Sequence, residues 1–364
     1  ITNQPELGVS STFGEVGGSW VDGGAPGSSA KLGFNVPVGD KTAFRVAGYS
    51  TRMGGYMDAV RPNLTVSDDV NGGDRTGVRA ALRVVPSERF SITPRVVYQR
   101  VQMDGWNRID AFNILANPFT TTRPAVKLGE REQFTQIEEP FTDKFALADL
   151  NIDYDFGDVA LTSITSYTYR DVLVVRDAGA LTSSITGGSI GLPASVYTLD
   201  SPLNDATTAK VLTQELRLSG GKDRVRWVAG GFYSNTKRDY GQNLLVAGFE
   251  AATGIPTRGL RAPKDSLFFS DLSYQLDQFA AFGEGTFSLT DEFSLTGGLR
   301  YYDFKEDRTQ VFDGIFADPA SKPATIKANG IAPRLIASYK VNDSTNLNAQ
   351  VSKGFRLGGI NDPL

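Results

Sequence analysis

Val78-Arg79-Ala80-Ala81-Leu82-Arg83-Val84-Val85-Pro86-Ser87-Glu88-Arg89-Phe90 decides the fold class. Val78, Ala80, Leu82 and Val84 alternate with Arg79, Ala81 and Arg83, and successive side chains of a strand point to opposite faces. One face is therefore apolar and the other polar. Pro86-Ser87-Glu88-Arg89 then reads as a tight turn into a second strand at about 89–102. The same unit recurs where Leu150, Ile152, Tyr154 and Phe156 alternate with Asn151, Asp153 and Asp155 before the turn Phe156-Gly157-Asp158. Amphipathic helices need apolar residues at three-four spacing, and no sustained run of that kind is found. The chain reads as all-β.

Working outward, four more short turns appear at Val38-Gly39-Asp40-Lys41, Gly220-Gly221-Lys222-Asp223, Leu289-Thr290-Asp291-Glu292 and Val341-Asn342-Asp343-Ser344. Between them lie longer polar connections, roughly 54–74, 104–143, 177–209, 241–275 and 305–329. Short and long connections alternate, as in outer-membrane barrels with short periplasmic turns and long extracellular loops. Phe90, Phe156, Phe287 and Phe293 stand beside short turns, and Tyr49, Tyr98, Tyr167, Tyr233, Tyr301 and Phe355 follow some ten residues later. Ten residues at about 3.3 Å each, tilted by about 40°, rise about 25 Å, the height of an apolar band between two aromatic girdles.

Composition closes off other classes. The 364 residues contain no Cys and no His, which removes disulfides, thiol nucleophiles, Cys/His zinc sites and histidine-based catalysis. A formal net charge of −4 with mixed signs supplies no basic field for nucleic acid. No run of about 20 apolar residues offers a membrane helix. Thirteen strands are expected, at about 9–20, 30–38, 42–52, 74–85, 89–102, 144–156, 158–176, 210–219, 224–239, 276–288, 293–304, 330–340 and 345–357. Single-chain bacterial barrels have an even strand number and must close, so the expectation is an excerpt of a longer polypeptide. At about 28 residues per strand, a 22-stranded plugged transporter needs about 600 residues for its barrel.

Val351-Ser352-Lys353-Gly354-Phe355-Arg356-Leu357-Gly358-Gly359-Ile360-Asn361 resembles a Gly-Phe-Arg-x-Gly-Gly-x-Asn stretch of the TonB-dependent receptors of Gram-negative outer membranes. Gln214-Glu215-Leu216-Arg217-Leu218 and Gly298-Leu299-Arg300-Tyr301-Tyr302 look like two further barrel-strand signatures of that family, and Ile1-Thr2-Asn3-Gln4-Pro5 is similar to its exit from plug to barrel. The resemblance implies an antiparallel transmembrane β-barrel with about 13 of 22 strands present. Residues 1–7 would be the exit from a plug domain and residues 8–364 a partial barrel. It also implies an outer-membrane active transporter that imports a scarce bulky nutrient such as a ferric siderophore. The implied partners are the lipid bilayer and lipopolysaccharide, the inner-membrane TonB complex and a small-molecule substrate. No nucleic acid, cofactor, metal site or catalytic residue is expected. The alternatives are a passive porin or diffusion channel and a soluble β-rich carbohydrate-binding protein.

A ligand site in such a barrel belongs on lumen-facing residues near the extracellular strand ends and on the long loops. Arg52 and Tyr56 follow the third strand, Trp106 and Arg108 the fifth, Arg170 and Arg176 the seventh, Tyr240 the ninth and Arg356 the thirteenth. Their arginines suit an anionic ligand such as a metal chelate. The plain alternative is that they brace the wall. Asp68-Asp69-Val70-Asn71-Gly72-Gly73-Asp74 is rich in oxygen ligands but lacks the EF-hand spacing, so a solvated turn is the simpler reading. Glu130, Glu132, Glu138 and Glu139 invite a paired-carboxylate idea, against which an ordinary acidic loop is preferred. Pro94 sits awkwardly inside a paired strand and suggests a bulge or an irregular lower end.

Overall fold

The computed structural model describes residues 3–109 and 128–355. Sixteen strands are present among them: β1 (Ser11–Ser19), β2 (Gly27–Pro37), β3 (Thr42–Met53), β4 (Asp58–Val60), β5 (Val66–Ser67), β6 (Gly73–Ser87), β7 (Phe90–Met103), β8 (Glu132–Phe134), β9 (Phe141–Asp155), β10 (Val159–Asp177), β11 (Pro202–Lys222), β12 (Val225–Leu245), β13 (Ser266–Ser288), β14 (Phe293–Asp313), β15 (Ala320–Asn342) and β16 (Thr345–Ser352). Thirteen form one antiparallel sheet in the order β1-β2-β3-β6-β7-β9-β10-β11-β12-β13-β14-β15-β16. That is the strand count expected from the turns. β1 and β16 each have one neighbour among the described residues.

The register shows how the two faces differ. Phe34 opposes Val46, Val46 opposes Ala80, Ala80 opposes Val96, Val96 opposes Ala148, Ala148 opposes Tyr167, and Tyr167 opposes Leu212. Leu218 continues the same face through Ala229, Gly283 and Leu299 to Pro333. Large side chains on this face are exposed, Leu299 at 53% and Leu335 at 57%. Contiguous apolar patches larger than a few hundred Å² are rare on soluble monomers, and here the belt crosses the whole sheet. Hydrocarbon is the environment that accepts it. Tyr98, Tyr167, Tyr233, Phe279 and Tyr301 mark its upper edge on the same face, and Phe90, Tyr154, Phe156, Phe287 and Tyr339 its lower edge.

Two expected girdle residues lie on the other face. Tyr49 opposes Lys31 and Gly77, donates from its hydroxyl to Gln99 Oε1 at 2.6 Å, and lies 5.4 Å beneath the Arg75 guanidinium. Its ring fills the place a side chain at Gly77 would need, 2.6 Å from where a Cβ would stand. Phe355 stacks on Tyr302 with ring centroids 4.0 Å apart. Tyr302 is one residue out of phase with Tyr301, so this stack also belongs to the polar face. Pro94 pairs with Leu150 of β9. On the β6 side the ladder skips the positions opposite Pro94 and Thr93, passing from Ala81–Arg95 to Val84–Ile92, as the missing N–H of proline requires, and a separate register shift falls between Val84 and Ser87.

The long connections are shorter than their polar sequences suggest. β14 and β15 run as a hairpin to Asp313 and Ala320, so the span expected at 305–329 is mostly ladder and leaves only 314–319 as a loop. β11, β12 and β13 likewise continue well beyond the aromatic girdle. Above the bilayer both faces of a strand meet water or other loops, so the apolar alternation that reveals a strand disappears. Strands grow from 9–12 residues in β1–β3 to 21–23 in β11–β15, and the upper rim of the wall slopes accordingly.

Loops over the tall side share a core. α1 (Gly179–Ser183), a π-helical turn at Ser184–Ser189 and α2 (Ala194–Tyr197) pack towards α3 (Phe249–Thr253). Val196, Leu244, Val246, Phe249 and Leu267 are buried together, with Ile315 and Phe316 of the β14–β15 tip against them. Asp313 is fully buried and binds the backbone N–H groups of Arg261, Ala262 and Gly314 at 2.6, 2.7 and 2.9 Å. Around the lower side, β4 pairs in parallel with β8 and antiparallel with β5. Asn71 Oδ1 receives the N–H groups of Tyr56 and Met57, and Asp58 Oδ1 that of Asp69. Within the oxygen-rich run at 68–74, residues 71–73 are buried and the Asn71 side chain ties the loop together, while Asp68 and Asp74 are exposed as in a solvated turn.

Candidate functional site

The face opposite the apolar belt is polar and carries the N-terminal segment. Arg79 donates to the carbonyl of Asn3, and Glu6 N–H to Asn35 Oδ1. On this lumen side, above the girdle, the register aligns Arg170, Ala209, Arg238, Tyr274 and Arg308 on consecutive strands β10 to β14. The next row upward contains Thr207, Tyr240, Leu272 and Gln310, and the one above it Asp205, Gln242 and Ser270. Three arginines and two tyrosines therefore form a ledge whose residue heights are set by the sheet ladder. Ala209 leaves room between Arg170 and Arg238.

Buried carboxylates hold part of the ledge. Asp143, 7% exposed, takes Arg170 Nε at 3.0 Å and Nη2 at 2.6 Å. This fork raises the Arg170 guanidinium above its ordinary value, chiefly through the hydrogen bonds and against the opposing effect of burial. Asp205, 5% exposed, receives Gln242 Nε2 at 2.6 Å and lies 3.2 Å from Arg176 Nη2. The Tyr240 hydroxyl reaches the same carboxylate at 3.5 Å, a weak contact. Burial and then the Asp205 charge push the Tyr240 phenol up, while Arg176 and Arg238 pull it down. Arg238 lies 5.3 Å from the Tyr240 ring centroid and 5.7 Å from that of Tyr274.

Arg176 and Tyr240 are thus brought together on Asp205, with Arg170 in the neighbouring row. Trp106 and Arg108 reach the top of β10 from the β7 side. The Trp106 indole N–H donates to Val175 O at 3.3 Å, and its ring stands edge-on to Phe141 at 5.7 Å. Arg108 forks onto Glu139 at 3.1 and 2.9 Å, and Glu139 also accepts the Asp177 N–H. Glu139, 3% exposed, is therefore a structural anion, and Glu132 caps the Gly129 N–H. Arg52 opposes Asp74 and shares the face of Phe44 and Val46, so it points away from the lumen. Tyr56 lies in the β3–β4 loop, fixed through its N–H, with three strands between β3 and β10. Arg356 lies outside the described residues.

Arg238, Tyr274, Arg308, Asp143, Asp205 and Gln242 join the site without having stood out in the sequence. Arg238 and Tyr240 are two residues apart, the spacing of one strand face. That spacing becomes informative only once β12 is extended to Leu245.

An antiparallel sheet with a bilayer-facing apolar belt, aromatic edges and a polar inner face under folded loops defines a transmembrane β-barrel wall. The chain belongs to the TonB dependent receptor-like β-barrel family, whose profile matches residues 95–363. The family is one of transport receptors. Among solved structures, the ferric yersiniabactin uptake receptor FyuA of Yersinia pestis is similar over 94% of this chain and 46% of its own, at 16% identity and a TM-score of 0.68. The open form of the ferric-catecholate import receptor Fiu of E. coli K12 matches over 97% of this chain and 55% of its own, at 15% identity and 0.65. The ferripyoverdine receptor of the Pseudomonas aeruginosa outer membrane matches over 96% and 43%, at 12% identity and 0.65. At these identities the likeness is one of fold. The chain spans about half the length of these structures. No curated protein sequence matches it.

Proposed function

We propose that this chain is the barrel wall of an outer-membrane TonB-dependent active transporter that imports a scarce, bulky nutrient such as a ferric siderophore. The reading is carried by the arginine and tyrosine ledge on the lumen side, above the girdle, inside a wall of this family. The three structural relatives take up or bind ferric chelates by their names, which agrees with a cationic, aromatic mouth. Lipid and lipopolysaccharide surround the apolar belt, and the Gram-negative outer membrane is its location. Residues 1–7 act as the exit from a plug domain. The contacts of Asn3 with Arg79 and of Glu6 with Asn35 support that role by leading the segment along the lumen face. Coupling to an inner-membrane TonB complex runs through that plug.

The test is uptake of radioactive iron chelates by cells that carry the full-length protein and lack their other ferric-chelate receptors. Saturable uptake that stops when TonB is deleted supports the proposal. Uptake that is linear in concentration and indifferent to TonB, together with solute leakage from reconstituted liposomes, would establish a passive channel instead.

A further inference from the structure

We infer that Arg238, bracketed by Tyr240 and Tyr274, is the residue that selects the ligand, and that it selects anionic chelates whose charge lies on planar oxygen groups, carboxylate or phenolate. The inference rests on the transport reading above and names the substrate class for the same mouth.

The cations around the mouth are unequal. Arg170 is engaged by Asp143, Arg176 by Asp205 and Arg108 by Glu139, each carboxylate being buried. Arg238 is exposed on the lumen face and forms no ion pair among the described residues, and its guanidinium lies against the two tyrosine rings. Two flanking rings restrict the guanidinium without neutralising it, because a cation over a π-face is attracted yet keeps its N–H donors. The row also places Arg170 and Arg308 two strands away on either side, about 10 Å at a strand spacing near 4.8 Å.

The neighbouring arginines each have a buried acid two positions along the adjacent strand, Asp143 diagonal to Arg170 and Asp205 diagonal to Arg176, whereas the diagonal positions around Arg238 are Thr207, Val211, Leu272 and Leu276. The position opposite holds Ala209 on one side and Tyr274 on the other. The Tyr274 hydroxyl has no hydrogen-bond partner among the described residues and adds a neutral donor beside the guanidinium fork. A planar oxyanion matches the fork with two parallel hydrogen bonds, and its conjugated frame stacks on the flanking rings. A neutral chelate or an uncharged sugar would leave the arginine with no counter-charge.

The experiment uses the purified full-length receptor in detergent. Binding is measured by calorimetry for a ferric tricarboxylate, a ferric tris-catecholate and a neutral ferric trihydroxamate, on the native protein, Arg238→Gln and Arg238→Lys. Heat-modified gel mobility confirms that each barrel is folded. At least one anionic complex should bind more than about tenfold tighter than the neutral one. Arg238→Gln should weaken it about 10- to 100-fold, the equivalent of about 1.5–3 kcal/mol for a hydrogen bond to a charged group. Arg238→Lys should recover only part of the loss, since an ammonium keeps the charge and lacks the fork. A neutral complex that binds as tightly, or an Arg238→Gln protein within threefold of native for every anion, overturns the inference and leaves transport standing. Absence of binding by all three complexes to a folded native receptor overturns both.

Discussion

Asp313→Ala should release the strap at residues 254–265 from the top of the wall while the sheet stays intact. Asp313 ends β14, is fully buried, and accepts three backbone N–H groups at 2.6, 2.7 and 2.9 Å, two of them from Arg261 and Ala262 of the strap. Hydrogen bonds to a charged group contribute about 1.5–3 kcal/mol each, net of solvation. Part of that sum is offset because the variant no longer buries a carboxylate, which leaves a loss of about 3 kcal/mol. The apolar anchorage at Val246, Phe249 and Leu267 is not touched, so opening remains local. About 3 kcal/mol is roughly a hundredfold in the opening equilibrium. Arg258, Arg261 and Lys264 lie in the strap, so trypsin reads the opening directly. In the regime where reclosing outruns cleavage, the rate of cutting there should rise about a hundredfold. Asp313→Asn keeps one carbonyl oxygen and should fall between, near tenfold. A Cβ on Gly259 would stand 2.1 Å from Asp313 Oδ1, so Gly259→Ala should produce the same cuts with the carboxylate present. Native-like cleavage of Asp313→Ala would refute the reasoning.

The same carboxylate sets an acid limit. Burial alone would raise Asp313, but the N–H groups of Ala262, Arg261, Gly314 and Leu260 outweigh it and hold the group below the usual carboxylate value. A lowered folded value means that its contribution is complete above the unfolded value of about 3.9 and is lost as pH falls through the folded one. Amide protection at Arg261 and Ala262, corrected for intrinsic exchange, should therefore stay level from pH 7 to about pH 4 and drop only in stronger acid. Leu335→Arg, on the apolar belt, should destabilise the reconstituted barrel to urea by about 2–4 kcal/mol, whereas Ile336→Arg on the lumen face should cost far less. Equal effects would mean that the faces are assigned wrongly. Glu139→Gln should loosen Arg108 and expose it as a new tryptic site, because one partner of a buried pair is lost. Continued resistance there would show that Trp106 and its neighbours hold the segment unaided.

The sequence is most legible inside the bilayer. There each strand must present lipid on one side and polar groups on the other, and Val78 to Val84 display that demand residue by residue. The six short turns and the strand count follow from it. Legibility ends at the aromatic edge, where Thr309, Gln310 and Val311 continue β14 without any alternation to mark them. The site was read in part for the same reason. Arg170, Arg176 and Tyr240 stand close to strand ends and are conspicuous, while Arg238 and Tyr274 acquire meaning only from the register that sets them side by side. Arg52 shows the limit of proximity in sequence: one step in phase sends a side chain to the other face. Tyr49 shows the same for the aromatics, since its partner is the bare backbone of Gly77 rather than the lipid.

The sloping rim has a consequence for what the cell exterior meets first. Ten additional residues, at about 3.3 Å each and a tilt of about 40°, lift the crest at 314–319 about 25 Å above the lip between β2 and β3's upper ends. In the proposed setting the lip lies level with the sugar coat of the outer leaflet and the crest stands clear of it. An antibody or other large particle would make first contact with the crest. A chelate of molecular size could approach across the low lip and come upon the arginine ledge from its open side, so the outline of the wall separates small arrivals from large ones before any side chain discriminates between them.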